Sequence, residues 1–160
     1  MDSTERICMI IFLDFDGVLH PEPCREDQFF CHLPKLEALL REFQDVQIVI
    51  SSSWRNDRTL DELRTFFSPD ISAKIIGCTP YYRDLPELVD LIGITYSRQV
   101  EVEGWLRASG RPWEKWVALD DRAYWFKPFL PNLIKCDSKI GITDGVLSEL
   151  KSKISVIKYD

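Results

Sequence analysis

Two aspartates near the start of the chain, Asp14 and Asp16, have a residue type and spacing that suit metal-assisted phosphate chemistry. They follow an apolar run that begins near Ile7, and Gly17, which can turn the chain, comes directly after them. Two carboxylates this close repel each other unless a proton or a cation lies between them. Mg²⁺ is a hard cation that binds carboxylates and attracts phosphate oxygens. The stretch therefore predicts a magnesium and phosphate site, although a strand-end turn with incidental acids has the same short pattern.

Three consecutive serines follow a second apolar run, which covers residues 46–50. Hydroxyl groups and backbone N–H groups at the start of a helix are well placed to bind a phosphate oxygen. Ser51 lies directly after the run and is the first candidate, with Ser52 close behind. Ser53 or Asn56 would instead cap the following helix, and both functions are compatible because three serines are present.

A third polar group, the pair Asp120 and Asp121, follows the apolar residues 116–119. Phosphate chemistry at these carboxylates also needs a positive charge, which would offset the charge on the nucleophile and on the phosphoryl group. Arg98, at the start of a predicted helix, is the candidate. As alternatives, Arg98 would be a solvated surface side chain and Asp121 would cap the next turn.

These polar groups need a framework that brings them to one place, and the order of the apolar segments predicts it. The predicted strands cover about residues 7–13, 46–50, 73–76, 116–119 and 132–136. The predicted helices begin at Pro34 and cover residues 57–67, 85–92, 99–109 and 143–154. This alternation indicates an α/β fold, a three-layer Rossmann-like sandwich with a central parallel sheet of about five strands. In such a sheet the ligand crevice lies outside the carboxyl ends of the strands, where the aspartates and serines fall.

The composition is that of an acidic chain of 160 residues with 45% hydrophobic content. This length suits one domain, residues 1–160, and leaves little room for a second. The net charge of −6 argues against an extended nucleic-acid-binding surface but is compatible with a local basic pocket. No apolar run is long enough to span a membrane, and Asp2 and Glu5 stand where a signal peptide has basic residues. We therefore expect a cytoplasmic protein.

The five cysteines are odd in number and have no paired CxxC spacing, which is typical of reduced thiols in a cytosolic protein. Four possible zinc ligands nevertheless lie in a short span: His20, Cys24, Cys31 and His32. Their spacing matches no common zinc module. Loop residues without a metal are the favoured interpretation, and a structural zinc site is the alternative.

Together the motifs resemble those of the haloacid dehalogenase (HAD) superfamily. The stretches that carry the resemblance are Leu13-Asp14-Phe15-Asp16-Gly17-Val18-Leu19, Ser51-Ser52-Ser53-Trp54-Arg55, Arg98-x-x-Glu101-Val102-x-x-Trp105-Leu106, Trp116-Val117-Ala118-Leu119-Asp120-Asp121-Arg122 and Gly141-Ile142-Thr143. Within the superfamily they are similar to the group related to the HAD domain of Swiss-army-knife RNA repair proteins. The resemblance extends from the first strand to the last helix, and Val102 and Ile142 depart modestly from that group's usual Ile and Leu.

The resemblance implies a role for each acidic residue. Asp14 would be the nucleophile that becomes phosphorylated, and Asp16 would protonate the leaving group and then activate water. Mg²⁺ would be bound by Asp14, by Asp120 and by the backbone carbonyl of Asp16. Asp121 would orient a metal-bound water or the basic residue, and Gly17 would support the site by forming the turn.

The resemblance further implies that Ser51 or Ser52 and Arg98 bind the substrate phosphate, Arg98 standing where the superfamily more often has Lys. Only residues 19–47 separate the first two motifs, so we expect no substantial cap and an open site. An open site favours a phosphate on a larger molecule, with nucleotides and nucleic-acid ends as candidate substrates.

Four side chains that follow the second and third predicted strands could contact such a substrate. They are Trp54, Arg55, Tyr81 and Tyr82, which would stack on a base or contact its phosphates. Packing within the fold is the alternative for the aromatic rings.

The predicted activity is Mg²⁺-dependent hydrolysis of a phosphomonoester, and two other functions stay open. One is a regulatory domain that keeps the fold and the Mg²⁺ site without turnover, which the intact Asp16 argues against. The other is a phosphotransferase, which the sequence does not separate from a hydrolase. A dinucleotide-binding enzyme is disfavoured because no GxGxxG follows the first strand.

Overall fold

Five parallel strands form one sheet in the computed structural model, which describes residues 8–156. The strands are β1 (Met9–Leu13), β2 (Val46–Ile50), β3 (Ile75–Cys78), β4 (Lys115–Asp120) and β5 (Leu133–Lys135). Their order in the sheet is β3-β2-β1-β4-β5, so the chain winds outward from β1 in both directions. The predicted parallel α/β fold is confirmed. The predicted start of the first strand near Ile7 lies outside the described residues.

Helices cover both faces of the sheet. Within the described residues they are α1 (Leu33–Leu40), α2 (Leu60–Arg64), α3 (Pro69–Ser72), α4 (Pro86–Ile92), α5 (Ser97–Ala108) and α6 (Asp144–Val156). Successive side chains of a strand point to opposite faces, and β1 is buried on both. Ile11 and Leu13 join the cluster that includes α1 and α6, whereas Ile10 and Phe12 join the cluster that includes α5. These are the three predicted layers.

The largest departure from the predicted elements lies between β2 and β3. The single helix predicted over residues 57–67 is wrong, because α2 begins only after Thr59, whose hydroxyl accepts a hydrogen bond from the Glu62 N–H. Pro69 begins a further helix, α3, since proline suits the first turn. The third strand is Ile75–Cys78 rather than 73–76, and its Gly77 pairs with Val49.

Residues 14–32 connect β1 to α1, and we call the part of this connection that follows the turn, residues 20–32, the flap. It contains one turn of 3-10 helix, Glu26–Gln28, and no larger insertion. Further one-turn 3-10 helices are Ser53–Asn56, Tyr82–Asp84, Ile94–Tyr96 and Ala123–Trp125. The site therefore has no substantial cap. None of the helices within residues 8–156 has the length and apolar character needed to cross a membrane.

Candidate active site

The adjacent carboxyl ends of β1 and β4 place three aspartates together. The two strands pair in parallel with Leu13 opposite Leu119, so the residues that come next are neighbours. One carboxylate oxygen from each of Asp14, Asp120 and Asp121 lies within 4.8 Å of the others, and all three residues are buried. We call these three residues the acidic cluster.

Burial and mutual repulsion make the acidic cluster unfavourable without a cation. Burial raises the pKa of Asp14 well above its ordinary value, and the charge of Asp120 raises it further. Burial also raises the pKa of Asp121. Both Asp121 oxygens are buried without a hydrogen-bond partner among residues 8–156, although Arg122 Nε lies 3.6 Å from Oδ2. Three neighbouring carboxylates, of which Asp121 has both oxygens unpartnered, fit Mg²⁺, which takes oxygen ligands.

Arg98, the second residue of α5, brings positive charge to the acidic cluster. Its side chain is buried, and its Nη1 donates a hydrogen bond of 2.9 Å to Asp120 Oδ2. The same nitrogen lies 3.6 Å from Asp14 Oδ1. On its other side, Arg98 Nε lies 3.6 Å from Glu101 Oε1. The guanidinium is therefore held beside the predicted nucleophile, where it could also bind phosphate oxygens.

The two serines after β2 differ in what their hydroxyls contact. The Ser51 N–H donates to the Leu13 carbonyl at 3.0 Å, which places Ser51 beside the start of the Asp14 turn. Its hydroxyl makes no hydrogen bond within residues 8–156. The Ser52 hydroxyl accepts a hydrogen bond of 3.2 Å from the Trp54 N–H and caps the 3-10 helix Ser53–Asn56. Ser51 therefore has the more available hydroxyl.

Arg55 lies behind these serines as a support. Its Nη1 donates to the Ser51 and Ser52 carbonyls at 2.9 Å each, and its Nε donates to the Thr79 carbonyl at 3.0 Å. Its Nη2 lies 2.9 Å from Glu101 Oε2. One buried guanidinium thus connects the ends of β2 and β3 to α5. Because its N–H groups already donate to these partners, they are not available to bind a substrate phosphate.

Asp16 lies apart from the acidic cluster, under the flap. Its side chain is 33% exposed, and Oδ1 accepts a hydrogen bond of 2.7 Å from His20 Nε2. The Trp54 indole N–H lies 3.1 Å from both oxygens. The His20 hydrogen bond, followed by that of Trp54, lowers the pKa of Asp16 against the opposing effect of burial.

Gly17 directly follows Asp16 and lies against Asp121 of the acidic cluster. Two features of the structure require a glycine at this position. Its φ is +75°, a left-handed conformation that costs other residues energy. A Cβ atom here would clash with the Asp121 carboxylate. The turn after β1 and the loop after β4 therefore touch through this glycine.

A family model described as the HAD domain in Swiss Army Knife RNA repair proteins matches residues 10–147. The chain belongs to this family. The matched range contains the acidic cluster, Ser51 and Arg98, so the resemblance drawn from the motifs is confirmed. No curated protein and no solved structure was found to match the chain.

The zinc site considered for the flap of this HAD domain is not formed. Within residues 8–156 the acidic cluster is the one group of three or more residues whose potential ligand atoms lie close enough to hold a metal. His20 contacts Asp16, and His32 Nε2 lies 2.7 Å from the Ile140 carbonyl oxygen. Cys24 and Cys31 are free thiols.

Two residues of the HAD site, His20 and Glu101, make contacts that were not predicted from the sequence. His20 contacts Asp16 because a tight turn, in which the Gly17 N–H donates to the His20 carbonyl at 2.9 Å, returns the chain. Glu101 joins Arg55 to Arg98 and accepts a hydrogen bond of 3.1 Å from the Tyr82 N–H. The spacing of Arg98 and Glu101, one helical turn apart, is the sequence signal that could have indicated such a pair.

An open cleft of about 500 Å³ extends from Arg98 away from the acidic cluster. Its lining is rich in aromatic and basic side chains: Arg55, Tyr81, Tyr82, Arg83, Arg98, Tyr124 and Trp125. Tyr81 packs beneath Arg55, whose guanidinium carbon is 4.7 Å from the ring centre. Trp54 does not line this cleft but packs against the flap, with its ring centre 5.2 Å from that of Phe30. Of the four predicted substrate contacts, Tyr81, Tyr82 and Arg55 therefore border the cleft.

Proposed function

We propose that this HAD domain is a Mg²⁺-dependent phosphomonoesterase that acts through an aspartyl phosphate on Asp14. The observation that carries the proposal is the buried acidic cluster beside Arg98, with two Asp121 oxygens that lack a hydrogen-bond partner within residues 8–156. A carboxylate nucleophile needs its charge and that of the phosphate offset, and this arrangement is suited to both.

In the proposed mechanism an Asp14 oxygen attacks phosphorus in line as the bond to the leaving oxygen breaks. The step requires Asp16 to be protonated when the substrate is bound; Asp16 then gives this proton to the departing alkoxide, and afterwards takes a proton from the water that attacks the phosphorus and releases Asp14. Asp14, Asp120 and Asp121, with the Asp16 backbone carbonyl of the predicted ligand set, would hold Mg²⁺. The bound cation would offset the charge that develops on the phosphoryl oxygens.

Ser51 and Arg98 complete the proposed site by binding the phosphoryl oxygens that face away from the cation. The free Ser51 hydroxyl can donate one hydrogen bond. The Arg98 guanidinium, held by Asp120 and Glu101, is already oriented, so little reorganisation accompanies binding.

The substrate we propose is a phosphate on a nucleotide or a nucleic-acid end in the cytoplasm. Support comes from the open cleft, whose exposed rings at Tyr82 and Tyr124 could stack on a base beside the positive charge of Arg83. The five free cysteines fit a reducing compartment. A short flap leaves room for the rest of a long substrate.

The first experiment is phosphate release from a panel of mononucleotides and of 5′- and 3′-phosphorylated oligonucleotides, with Mg²⁺ or with EDTA. We expect Mg²⁺-dependent release that Asp14→Asn reduces by at least about 10³-fold, because the amide is a poor nucleophile. Asp90→Asn is the matched control, since Asp90 is exposed on α4 and should leave the rate unchanged.

Two results would contradict this proposal. Normal turnover by a folded Asp14→Asn protein would remove the assignment of the nucleophile. Failure of the wild type to release phosphate from every substrate, while it still binds Mg²⁺, would favour a binding or regulatory role. Analysis of products with added alcohol acceptors separates hydrolysis from phosphoryl transfer.

A further inference from the structure

The flap buries one histidine, His20, directly against the proposed acid and base. His20 is 1% exposed although its ring can carry charge and hydrogen bonds at both nitrogens. Aromatic rings enclose it, with centres 4.9 Å away at Phe29, 5.4 Å at Phe30 and 5.8 Å at Trp54. A buried imidazole needs a partner for each nitrogen, and Asp16 and the Phe30 N–H provide them.

The two hydrogen bonds of His20 define where its proton lies. The backbone N–H of Phe30 donates to His20 Nδ1 at 3.2 Å, so Nδ1 must be the unprotonated nitrogen. The proton is therefore on Nε2, which donates to Asp16 Oδ1 at 2.7 Å. His20 is thereby held in a fixed orientation, with Nδ1 towards the Phe30 N–H and Nε2 towards Asp16.

The two oxygens of Asp16 consequently have different environments. Oδ1 accepts from both His20 and Trp54, whereas Oδ2 has only the Trp54 N–H, at 3.1 Å. An oxygen with two N–H donors has little capacity left for a proton of its own. Oδ2 keeps that capacity, and the side chain is partly exposed.

We infer that His20 is a positioning residue for Asp16, which holds Oδ1 so that Oδ2 is the oxygen that exchanges a proton with the leaving group and with water. This role rests on the proposed phosphatase function. His20 touches neither the substrate nor the acidic cluster in this arrangement, and it acts through Asp16 alone. Without the His20 N–H, the Asp16 carboxyl group could rotate, and it would donate its proton to the leaving oxygen less efficiently.

Two amide substitutions separate the two hydrogen bonds of His20. In His20→Gln the side-chain nitrogen can reach the place of Nε2 and donate to Asp16. In His20→Asn the side-chain oxygen can take the place of Nδ1 and accept from the Phe30 N–H, but nothing reaches Asp16. If His20 only anchors the flap, His20→Asn is the milder change. If it positions Asp16, His20→Gln is the milder change.

The readout is kcat/KM for phenyl phosphate and for 4-nitrophenyl phosphate, which differ mainly in how much the leaving oxygen needs a proton. We expect His20→Asn to lower the value for phenyl phosphate by roughly 10–100-fold and that for 4-nitrophenyl phosphate by less than about threefold, because general acid catalysis contributes on the order of 10²–10⁴-fold. His20→Gln should retain both values within about threefold, since it keeps the donor.

The ratio of the two kcat/KM values does not depend on how much of a variant is folded, because both are measured on one preparation. His32→Asn, which changes a flap histidine that contacts Ile140 instead, is the control and should leave the ratio unchanged. Equal losses for both substrates, or a milder effect of His20→Asn than of His20→Gln, would overturn the positioning role alone. A wild type without activity on any phosphomonoester would overturn the proposed function and this role together.

Discussion

Asp14 and Asp16 are two residues apart in the sequence, yet their surroundings shift their pKa values in opposite directions. Asp14 is buried beside two other carboxylates, and burial and repulsion raise its pKa. Asp16 has a partly exposed side chain that accepts hydrogen bonds from His20 and Trp54, which lower its pKa. Two aspartates with the same side chain thus have different pKa values because their neighbours differ.

The difference comes from where the chain turns. Asp14 directly follows β1 and shares the sheet edge with β4, whereas Asp16 is followed by Gly17, whose left-handed backbone directs the chain into the flap. Asp14 has charged neighbours at the sheet edge, whereas Asp16 has N–H donors from His20 in the flap and from Trp54 after β2. Asp14 therefore depends on a cation, while Asp16 depends on fixed N–H groups. The following substitutions test this difference between the surroundings of Asp14 and those of Asp16.

The largest effect is expected when the positive charge of the acidic cluster is removed. Arg98→Met keeps much of the side-chain length but leaves Asp14 and Asp120 without their buried cation. We expect a loss of about 3–5 kcal/mol in the free energy of unfolding, measured with urea in the absence of Mg²⁺, because breaking a buried ion pair strands a charge. Phosphate release should also be lost.

Arg41→Met is the control for Arg98→Met. Arg41 is 2.6 Å from Asp70, but both side chains are about half exposed, at 45% and 53%, so water already screens the pair. Its removal should change stability little. Equal effects of the two substitutions would show that the acidic cluster does not depend on Arg98.

An intermediate effect on stability is expected at Gly17, which follows Asp16 and contacts Asp121 of the acidic cluster. Gly17→Ala should lower the free energy of unfolding by about 2–4 kcal/mol, since it combines left-handed strain with a clash at Asp121. Gly110→Ala has a similar φ of +71°, but a Cβ there has nothing within 4 Å. Gly110→Ala should therefore cost only about 1–2 kcal/mol, the strain alone. Urea unfolding gives the free energy of unfolding of each variant, and the difference between the two losses measures the cost of the clash. A difference of zero would contradict the close contact with Asp121.

The smallest effect is a change of stability with pH. Asp14 and Asp121 have raised pKa values, so the metal-free folded state binds more protons than the unfolded state above the ordinary aspartate pKa. Stability should then fall as pH rises through the raised values, and Mg²⁺ should stabilise the protein more at about pH 8 than at about pH 5. Asp16, with its lowered pKa, acts in the opposite sense and only at acid pH, where its stabilising hydrogen bonds are lost as it protonates.

Asp121→Asn tests the source of this pH dependence. The substitution removes one buried charge, and the amide can donate to Asp14, so metal-free stability at about pH 8 should rise by on the order of 1 kcal/mol, or roughly 2–4 °C in Tm. The stabilisation by Mg²⁺ should weaken at the same time. A thermal melt with and without EDTA measures both, and a lower Tm in EDTA would contradict the prediction.

The sheet and the residues at its edge were predictable, because parallel strands place their carboxyl ends together. From this rule we predict that Asp14, Ser51 and Asp120 lie at the carboxyl ends of three strands of one sheet. The structure has them at the ends of β1, β2 and β4. The helix over residues 57–67 was predicted too long because its apolar residues have helical spacing, whereas the Thr59 cap starts α2 at Leu60 and the helix ends at Arg64.

The contacts of the flap were not predictable from spacing. His20 reaches Asp16 through a turn closed by a backbone hydrogen bond, and its ring is fixed by the N–H of Phe30, ten residues further on. Asp16 and His20 are four residues apart, which is a helical spacing, but the chain between them forms a turn rather than a helix. The contact of His20 with Phe30 has no helical or strand period that a sequence pattern could reveal. The same holds for Arg55, whose carbonyl partners become neighbours only when β2 and β3 pair.

The shortness of the flap has a consequence for competition between acceptors. With no larger insertion between β1 and α1 and with Asp16 partly exposed, a phosphorylated Asp14 would face bulk water on the side of its base. Its fate would follow mass action, since water is always the most abundant acceptor. A second acceptor could capture the phosphoryl group only by being held in the cleft beside Arg98 when the leaving group departs. In the proposed mechanism, the open architecture would favour hydrolysis by default and would make phosphoryl transfer depend on a bound acceptor.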